Sequence, residues 1–224
     1  QLSARYPVFD VHLFTVNRVF TFSSLAAFLH YSATYAVTFL LSLYLQYIKG
    51  MSPQSAGTVL MAQPVMMALL SPLAGRLSDK IEPRLIATAG MLLTAVEVSL
   101  FSLLQPDTNL LLIIPNLVLL GSGFALFSSP NMNAIMGAVE KRHYGLASGA
   151  VATMRLLGQM LSMAMATVVL ALIVGRRAIA PENYDLFLQS IHTAFTISAV
   201  LCLIGVYFSW FRGALRADTR EQDR

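Results

Sequence analysis

The stretch GSGFALFSSPNMNAIMGAVEKRHYGLASGAVATMRLLG, residues 121–158, is apolar on both sides of one short charged loop. The loop reads Glu140-Lys141-Arg142-His143, and glycine, alanine and serine are dense in both flanking arms. In a water-soluble helix each glycine would cost about 1 kcal/mol relative to alanine. In a membrane, small residues instead let two helix backbones approach closely. The stretch therefore predicts two membrane helices joined by a basic turn.

The small residues of this hairpin predict where other helices pack against it. They are Gly121, Ser122 and Gly123 in the first arm and Gly145, Ala147, Ser148 and Gly149 in the second. Pro130 lies inside the first arm and lacks a backbone N–H, so we expect that helix to bend there.

The composition of the whole chain agrees with a membrane protein. Of its 224 residues, 56% are hydrophobic and only 12% are charged, whereas soluble domains carry roughly 25% charged residues. The formal net charge of +4 does not indicate nucleic-acid binding, because the basic residues lie in loops between apolar runs. The single cysteine, Cys202, can form no internal disulfide. The chain begins with Gln1 and shows no secretory signal pattern, so we expect a fragment or a processed chain.

Six apolar runs are long enough to cross a bilayer as helices, which takes roughly 20 residues each. The predicted spans are 23–47, 56–77, 85–105, 110–139, 145–174 and 190–211. Residues 1–22 are mixed in character and predict an interfacial lead-in or a linker. Residues 212–224 predict a polar cytoplasmic tail. The fold class predicted for residues 23–211 is an all-α membrane protein with six transmembrane helices in one bundle.

The orientation follows from the placement of lysine and arginine, which are enriched in the cytoplasmic loops of membrane proteins. If the N-terminus is cytoplasmic, eleven of the 15 Lys and Arg residues lie on the inner side and three on the outer side. The remaining one, Arg155, lies within the fifth span. We therefore expect both termini to be cytoplasmic.

Two motifs resemble those of the major facilitator superfamily. The loop after the second span is similar to the superfamily's cytoplasmic loop signature; it reads Gly75-Arg76-Leu77-Ser78-Asp79-Lys80, followed by Arg84. The hairpin is similar to the fourteen-helix drug:proton antiporter branch; it combines Pro130, the run Gly145-Leu146-Ala147-Ser148-Gly149, Arg155 and Gly158. Residues 7–20 and 44–57 are also similar to that branch, so the resemblance covers the whole chain.

The resemblance implies that the chain is the C-terminal six-helix half of such a transporter, arranged as a 3+3 inverted repeat. Because the family's transporters also carry an N-terminal half, the implied partners are that half or a second copy of this chain. Membrane lipid, a small-molecule substrate and protons are further implied partners, and no nucleic acid is. The implied location is a bacterial inner (plasma) membrane.

The first span carries the most informative polar pattern. The residues His30, Thr34, Thr38, Ser42 and Gln46 recur every four positions, with Tyr31 and Tyr35 beside them. We interpret this stripe as the wall of a water-filled cavity. The alternative is that its groups bond neighbouring helices or carbonyls of their own helix. The resemblance favours the cavity, since the first and fourth helices of each superfamily half line the central cavity.

Three residues of the fourth span would then face the same space: Asn116, Phe127 and Asn131. For Asn131 the alternative is local, because it follows Pro130 and could satisfy the backbone groups that the proline leaves unpaired.

Two ionisable residues lie within predicted spans. For Arg155 the alternative is a position at the inner interface, because residues 156–174 are long enough to span by themselves. Glu97 lies about 18 Å into the third span, near the bilayer centre, and an intramembrane carboxylate is a functional candidate. We consider a proton carrier and, equally, a protonated or outward-reaching side chain. Arg155 shares roughly one helix face with Gly158, Ser162 and Ala166, which predicts close packing there. We favour a structural or gating ion pair for Arg155 over a substrate contact.

The loop signature predicts one further functional group at the cytoplasmic side. The resemblance implies that Gly75, Asp79, Lys80 and Arg84 form a conformational latch between helices. For the basic residues the alternative is that they set the membrane topology alone.

These patterns together predict half of a secondary active transporter. The resemblance implies proton-coupled export of lipophilic or cationic drug-like compounds by alternating access. The alternative is a non-transporting membrane scaffold or assembly protein that retains the bundle. No nucleophile, metal-ligand spacing or cofactor motif occurs in the sequence, so no catalytic residue, metal or cofactor is predicted, and we expect no enzyme.

Overall fold

The computed structural model describes residues 17–175, 177 and 179–213. Six helical segments within these residues are long and apolar enough to cross a membrane, which confirms the predicted all-α fold class. They are α1 (Arg18–Leu43, continued by a π-helical turn at Tyr44–Ile48), α2 (Pro53–Leu60 and Ala62–Lys80), α3 (Pro83–Phe101), α4 (Leu110–Gly137), α5 (Tyr144–Ile173) and α6 (Tyr184–Phe211). Short 3-10 turns at Lys141–His143 and Pro181–Asn183 precede α5 and α6.

The helices start earlier than predicted where turn and capping residues lie outside the apolar run. α1 begins at Arg18 rather than residue 23, because the Asn17 side chain accepts a hydrogen bond from the Phe20 N–H and caps the helix. α6 begins at Tyr184 rather than residue 190, directly after its 3-10 turn. The predicted lead-in is correspondingly shorter, and its residues 1–16 lie outside the described residues, as do 214–224 of the predicted tail.

α2 is interrupted once along its length. The break lies at Met61, close to Pro64, which has no N–H to donate to the carbonyl of Leu60 one turn earlier. Pro72 lies inside the continuous second segment. The proline near the break therefore lies in the first turn of a new helical segment, where its missing donor is tolerated.

The helices pack in the pattern of an inverted 3+3 repeat. α1 packs against α5 and α6, while α4 packs against α2 and α3. If α1, α2 and α3 are exchanged with α4, α5 and α6, the α1–α5 contact becomes the α4–α2 contact. The α1–α6 contact likewise becomes the α4–α3 contact. The contacts between α1 and α4 and between α3 and α6 lie on the axis of this exchange. In this arrangement α2 packs chiefly against α4, and α5 packs chiefly against α1.

α2 and α5 bury less of their apolar surface than the other helices. On α2 the exposed side chains recur every four residues as one stripe: Met61, Val65, Leu69, Leu73 and Leu77. On α5 the exposed side chains include Leu156, Leu157 and Met160. Both faces are free to contact lipid or another helical bundle.

The small residues of the hairpin divide into two groups. In the first arm, a Cβ on Gly121 would clash with the backbone of α2 at Gln63, and one on Gly123 would lie 2.5 Å from the Thr94 hydroxyl of α3. These residues therefore mark close helix contacts, as predicted. In the second arm, Gly145 and Gly149 have open space where a Cβ would be. The predicted helix contact at these two glycines is wrong within the described residues, because no atom there lies within 4 Å of either Cβ position.

Candidate functional site

A cavity of about 580 Å³, here named the outer cavity, opens between α1, α2, α4 and α5. Its wall contains Thr34, Thr38 and Ser42 of the polar stripe, together with Tyr35, Phe39, Leu60, Gln63, Phe124 and Met163. The Thr38 hydroxyl donates to the Gln63 side-chain oxygen at 3.1 Å, which links α1 to α2. The middle of the stripe thus lies along a cavity that has both polar and aromatic walls.

Some groups of the stripe bond within their own helix. The Thr34 hydroxyl donates to the His30 carbonyl at 2.7 Å, and the Gln46 amide donates to the Ser42 carbonyl and hydroxyl. Thr34 is only 1% exposed, whereas Tyr35 is 48% exposed. The hydroxyl of Thr34 is thus already satisfied by its own helix.

His30 has a different environment from the rest of the stripe, because it is fully buried among aromatic rings. Its ring stacks on Phe127 with centroids 4.2 Å apart and meets Phe124 edge-on at 4.5 Å. Neither ring nitrogen has a hydrogen-bond partner among the described residues. His30 is therefore part of an aromatic cluster that lies beside the outer cavity, where Phe124 forms part of the wall.

A second cavity of about 180 Å³, here named the inner cavity, lies nearer the loop between α4 and α5. It is lined by Tyr31 and Ala27 of α1, by Phe127, Ser128, Asn131 and Met132 of α4, and by Ser148, Val151, Ala152 and Arg155 of α5. The His30 cluster contributes Phe124 to the outer cavity and Phe127 to the inner one, so aromatic rings separate the two spaces.

Arg155 lies at the inner cavity, about 17 Å along α5 from its start. The side chain is exposed and forms no ion pair among the described residues, so the ion pair favoured from the sequence is absent there. The close packing predicted for its face begins one turn later, where a Cβ on Gly158 would lie 2.7 Å from the Phe28 carbonyl of α1. Ser162 continues this contact by accepting a hydrogen bond from the Ala36 N–H at 2.9 Å.

Asn131 does not satisfy the backbone of its own helix. Its side-chain N–H donates to the Ser23 carbonyl of α1 at 3.1 Å, and its oxygen accepts a hydrogen bond from the Arg212 guanidinium at 2.8 Å. The same guanidinium nitrogen donates to the Ser23 hydroxyl at 3.3 Å. Asn131 therefore ties α1, α4 and the end of α6 together while forming part of the inner cavity wall.

Arg212 is a structural residue that sequence reasoning assigned to the polar tail. Its side chain is only 1% exposed, although α6 ends one residue earlier at Phe211, and the tail itself stays a prediction. Burial lowers the pKa of Arg212 to about 10; the Glu82 carboxylate raises this pKa and the Arg84 guanidinium lowers it further. The guanidinium thus remains charged at neutral pH, held between three helices.

Glu97 lies on α3, outside both cavities. It is fully buried, and neither carboxyl oxygen has a hydrogen-bond partner among the described residues. Cys202 of α6 is close enough to interact with it electrostatically. The alternative of an outward-reaching side chain is therefore wrong, because α6 covers this face of α3.

Asn116 was predicted to face the same space as Phe127, and the structure contradicts this. Its amide N–H donates to the backbone carbonyl of Glu97 at 3.2 Å. It borders a crevice between the end of α3 and the start of α4 instead of either cavity. The reason is that this face of α4 meets α3 near the loop that joins them.

The predicted latch residues lie where the end of α2 meets the start of α3: Gly75, Asp79, Lys80 and Arg84. The Arg84 guanidinium lies over the Trp210 ring of α6, 5.2 Å from its centroid. Between the latch residues, the Ser78 hydroxyl accepts a hydrogen bond from Asn133 of α4. Contacts at this end thus join α2 to α4 and α3 to α6, and the latch itself stays a prediction.

A cysteine at Thr38 is expected to react with a water-soluble thiol reagent, because this position is exposed at the outer cavity. A cysteine at Leu40, which is 1% exposed, should be protected. The measurement is the labelling rate of each variant in a Cys202→Ser background. Equal protection of both positions would show that the stripe packs against another helix rather than lining a cavity.

The chain matches the sequence profile of the Major Facilitator Superfamily over residues 23–224. It is 32% identical to the riboflavin transporter RibZ of Clostridioides difficile, over 90% of this chain and 44% of that protein. It is 31% identical to the multidrug resistance protein Stp of Mycobacterium tuberculosis, over 62% of this chain and 26% of Stp. The lincomycin resistance protein LmrB of Listeria monocytogenes is 25% identical over 94% of this chain and 46% of LmrB. The chain spans less than half the length of each of these relatives.

The fold has a counterpart among solved structures. A bacterial homologue of the human lysosomal transporter Spinster, in an inward-facing and occupied conformation, superposes with a TM-score of 0.65 at 18% identity. The match covers 89% of this chain and 50% of that one, as expected for one half-bundle. With six membrane-spanning helices in this arrangement and a profile match over most of its length, the chain belongs to the Major Facilitator Superfamily.

Proposed function

We propose that this chain is one half of a proton-coupled exporter of lipophilic compounds that works by alternating access. The observation that carries the proposal is the outer cavity, where polar and aromatic side chains of α1, α2, α4 and α5 surround about 580 Å³. A volume of this size suits a drug-sized ligand, whose sites usually span roughly 300–1,000 Å³. In alternating access such a site lies between two bundles near the membrane midplane.

A second six-helix bundle is part of this proposal. The exposed apolar stripes of α2 and α5 flank the cavities, and a polar cavity wall facing lipid would be costly. The second bundle would be an N-terminal half or a second copy of this chain.

We place the chain in a bacterial inner membrane with both termini on the cytoplasmic side, on the basis of the lysine and arginine count. A cysteine at Gln54 should then be labelled from outside; labelling only from inside would refute this orientation.

The wall chemistry supports a lipophilic rather than a cationic substrate for this half. Among the described residues that line the two cavities, Arg155 is the only one with a formal charge, and it is positive. A cationic compound would find no carboxylate there and would need acids from the second bundle. The relatives named above are a riboflavin transporter and two resistance proteins, which supports an organic small molecule as cargo.

The scaffold alternative predicts a different surface. A bundle that only assembles other proteins would gain most from an apolar α1 face, because unpaired polar groups in a membrane cost several kcal/mol each. The α1 face instead carries Thr38 and Ser42 at a cavity. No observation on the described residues favours the scaffold.

The test is transport in liposomes under an imposed proton gradient, with the uncharged lipophilic dye Nile red as the probe. We expect gradient-driven dye movement when the chain is reconstituted with its second bundle, and none from a demonstrated monomer of the chain alone. In the matched control a protonophore collapses the proton gradient. Dye movement should then stop, while the amount of protein in the liposomes is unchanged.

Two outcomes would contradict the proposal. Gradient-coupled dye movement by the monomeric chain would show that no second bundle is needed. Absence of movement by a folded two-bundle assembly, for this dye and for other lipophilic probes, would favour the scaffold instead.

A further inference from the structure

We propose that the inner cavity binds the anionic group of an aromatic substrate, with Arg155 as the residue that selects for negative charge. This inference deepens the proposed function, because it names the substrate class of the same transporter half. It reverses the role that the sequence favoured for Arg155, which was an ion pair within the protein.

The first support is the state of the guanidinium. Arg155 is exposed at the inner cavity and has no ion pair among the described residues. Other arginines of the bundle are engaged: Arg212 is bound by Asn131, and Arg142 pairs with Glu140 at 2.9 Å. A cation at membrane depth is costly unless a counter-charge or water accompanies it. A bound anion would supply that counter-charge.

The second support is the rest of the cavity wall. It contains no carboxylate, and its polar groups besides Arg155 are the hydroxyls of Ser128, Ser148 and Tyr31 and the amide of Asn131. The amide is already bonded to Arg212 and to α1. The three hydroxyls remain to donate hydrogen bonds to the ligand. The guanidinium can bind a carboxylate of the same ligand through two parallel N–H groups.

The third support is aromatic. Tyr31 is partly exposed at the cavity, while Phe127 is only 1% exposed and its ring stacks on His30. Tyr31 is thus the ring available to lie against a planar ligand. At about 180 Å³ the inner cavity is smaller than a typical drug site, so it accommodates one ring with its anionic substituent. The remainder of the ligand would extend into the space that the second bundle encloses.

The test uses two dyes that share a xanthene ring and differ in charge. Fluorescein is anionic and carries a carboxylate, whereas rhodamine 123 is cationic. Binding to the chain in phosphatidylcholine nanodiscs is measured by fluorescence anisotropy, without any gradient. We expect the unmodified chain to bind fluorescein more tightly than rhodamine 123, and Arg155→Gln to weaken fluorescein binding about tenfold while leaving rhodamine 123 binding unchanged or tighter.

Two further variants separate recognition from bulk charge and from folding. Arg142→Gln also removes one positive charge, but from the exposed loop beyond the cavity, and it should leave both affinities unchanged. Arg155→Lys should retain the preference for fluorescein with weaker binding, because lysine keeps the charge and loses the planar fork.

The outcomes are decisive in either direction. Equal fluorescein affinity of the unmodified chain and Arg155→Gln would overturn the proposal, and so would the absence of fluorescein binding to the unmodified chain. A loss common to Arg155→Gln and Arg142→Gln would show a general charge effect and overturn it as well. Because binding is measured at equilibrium, anion selectivity can hold even if gradient-driven transport fails, so the two proposals fail separately.

Discussion

Gly158→Leu is expected to prevent α1 and α5 from packing and to lower the stability of the bundle by about 3 kcal/mol or more. A Cβ at this position would lie 2.7 Å from the Phe28 carbonyl, 3.0 Å from the Tyr31 Cβ and 3.1 Å from the Ser32 N–H nitrogen. Two of these three neighbours belong to the backbone of α1, so no side chain can rotate away to make room. The helices would have to separate, which would also open the inner cavity beside Tyr31.

The matched control is Gly149→Leu, on the same helix and with the same change in side chain. Nothing lies within 4 Å of a Cβ at Gly149, so this variant should be neutral or slightly more stable because leucine favours the helix. The measurement is the midpoint of thermal aggregation in detergent, followed by fluorescence-detected size-exclusion chromatography. Equal midpoints for the two variants would mean that the α1–α5 contact is looser than the structure has it.

The contrast between these two glycines shows what the hairpin sequence could and could not predict. Its small residues predicted the two helices correctly, because helix formation depends on composition along the chain, but they predicted only some of the close contacts. Gly121 and Gly158 do lie against neighbouring backbones, whereas Gly145 and Gly149 do not. Which of several glycines is covered depends on the rotation of a helix about its axis, and that rotation is set by contacts far apart in the sequence.

For the candidate site, too, the sequence predicted which residues share a helix face but not which other helices cover them. The four-residue spacing on α1 placed Thr38 and Ser42 on one face, and that face does border a cavity. The same spacing could not reveal that His30 is covered by Phe127, since the covering ring comes from α4. The prediction for Asn116 failed for the same reason, because its neighbour near the start of α4 is α3.

The apolar runs predicted the helices well but could not predict the environment of single charged residues. Glu97 lies within the third of the long apolar helices, but only the α6 packing decides that its carboxyl is buried rather than exposed. Arg212 follows directly after an apolar run, and hydropathy treats such a residue as the first of a tail. Its acceptors, on Ser23 and Asn131, lie on two other helices, so no local pattern could have identified them.

Arg212→Met is expected to destabilise the bundle by about 2–4 kcal/mol, although methionine keeps a similar length. The substitution leaves the Asn131 side-chain oxygen without its donor at 2.8 Å and removes the hydrogen bond to the Ser23 hydroxyl. Both acceptors are buried, so water cannot replace the guanidinium. The control is Arg142→Met, which breaks an exposed ion pair with Glu140 and should cost less than about 1 kcal/mol.

The cost of Arg212→Met should not vary between about pH 6 and pH 8. Burial places the pKa of Arg212 at about 10, below the ordinary value of 12.5, so the folded protein bears the cost of the buried charge throughout that range. Because the pKa of Arg212 is lower in the folded protein than in the unfolded one, the unmodified protein would become more stable only as the pH rises through about 10, where the folded protein loses the buried charge.

A double-substitution cycle decides whether this cost comes from the contact with Asn131. Unfolding in detergent is followed for Arg212→Met, Asn131→Leu and the combined variant. If the two residues act as one unit, the combined loss should fall short of the sum of the single losses by about 1 kcal/mol or more, because the second substitution removes an acceptor that is already unpaired. Strict additivity would mean that Arg212 stabilises the end of α6 independently of α4, and the three-helix contact would then have no energetic role.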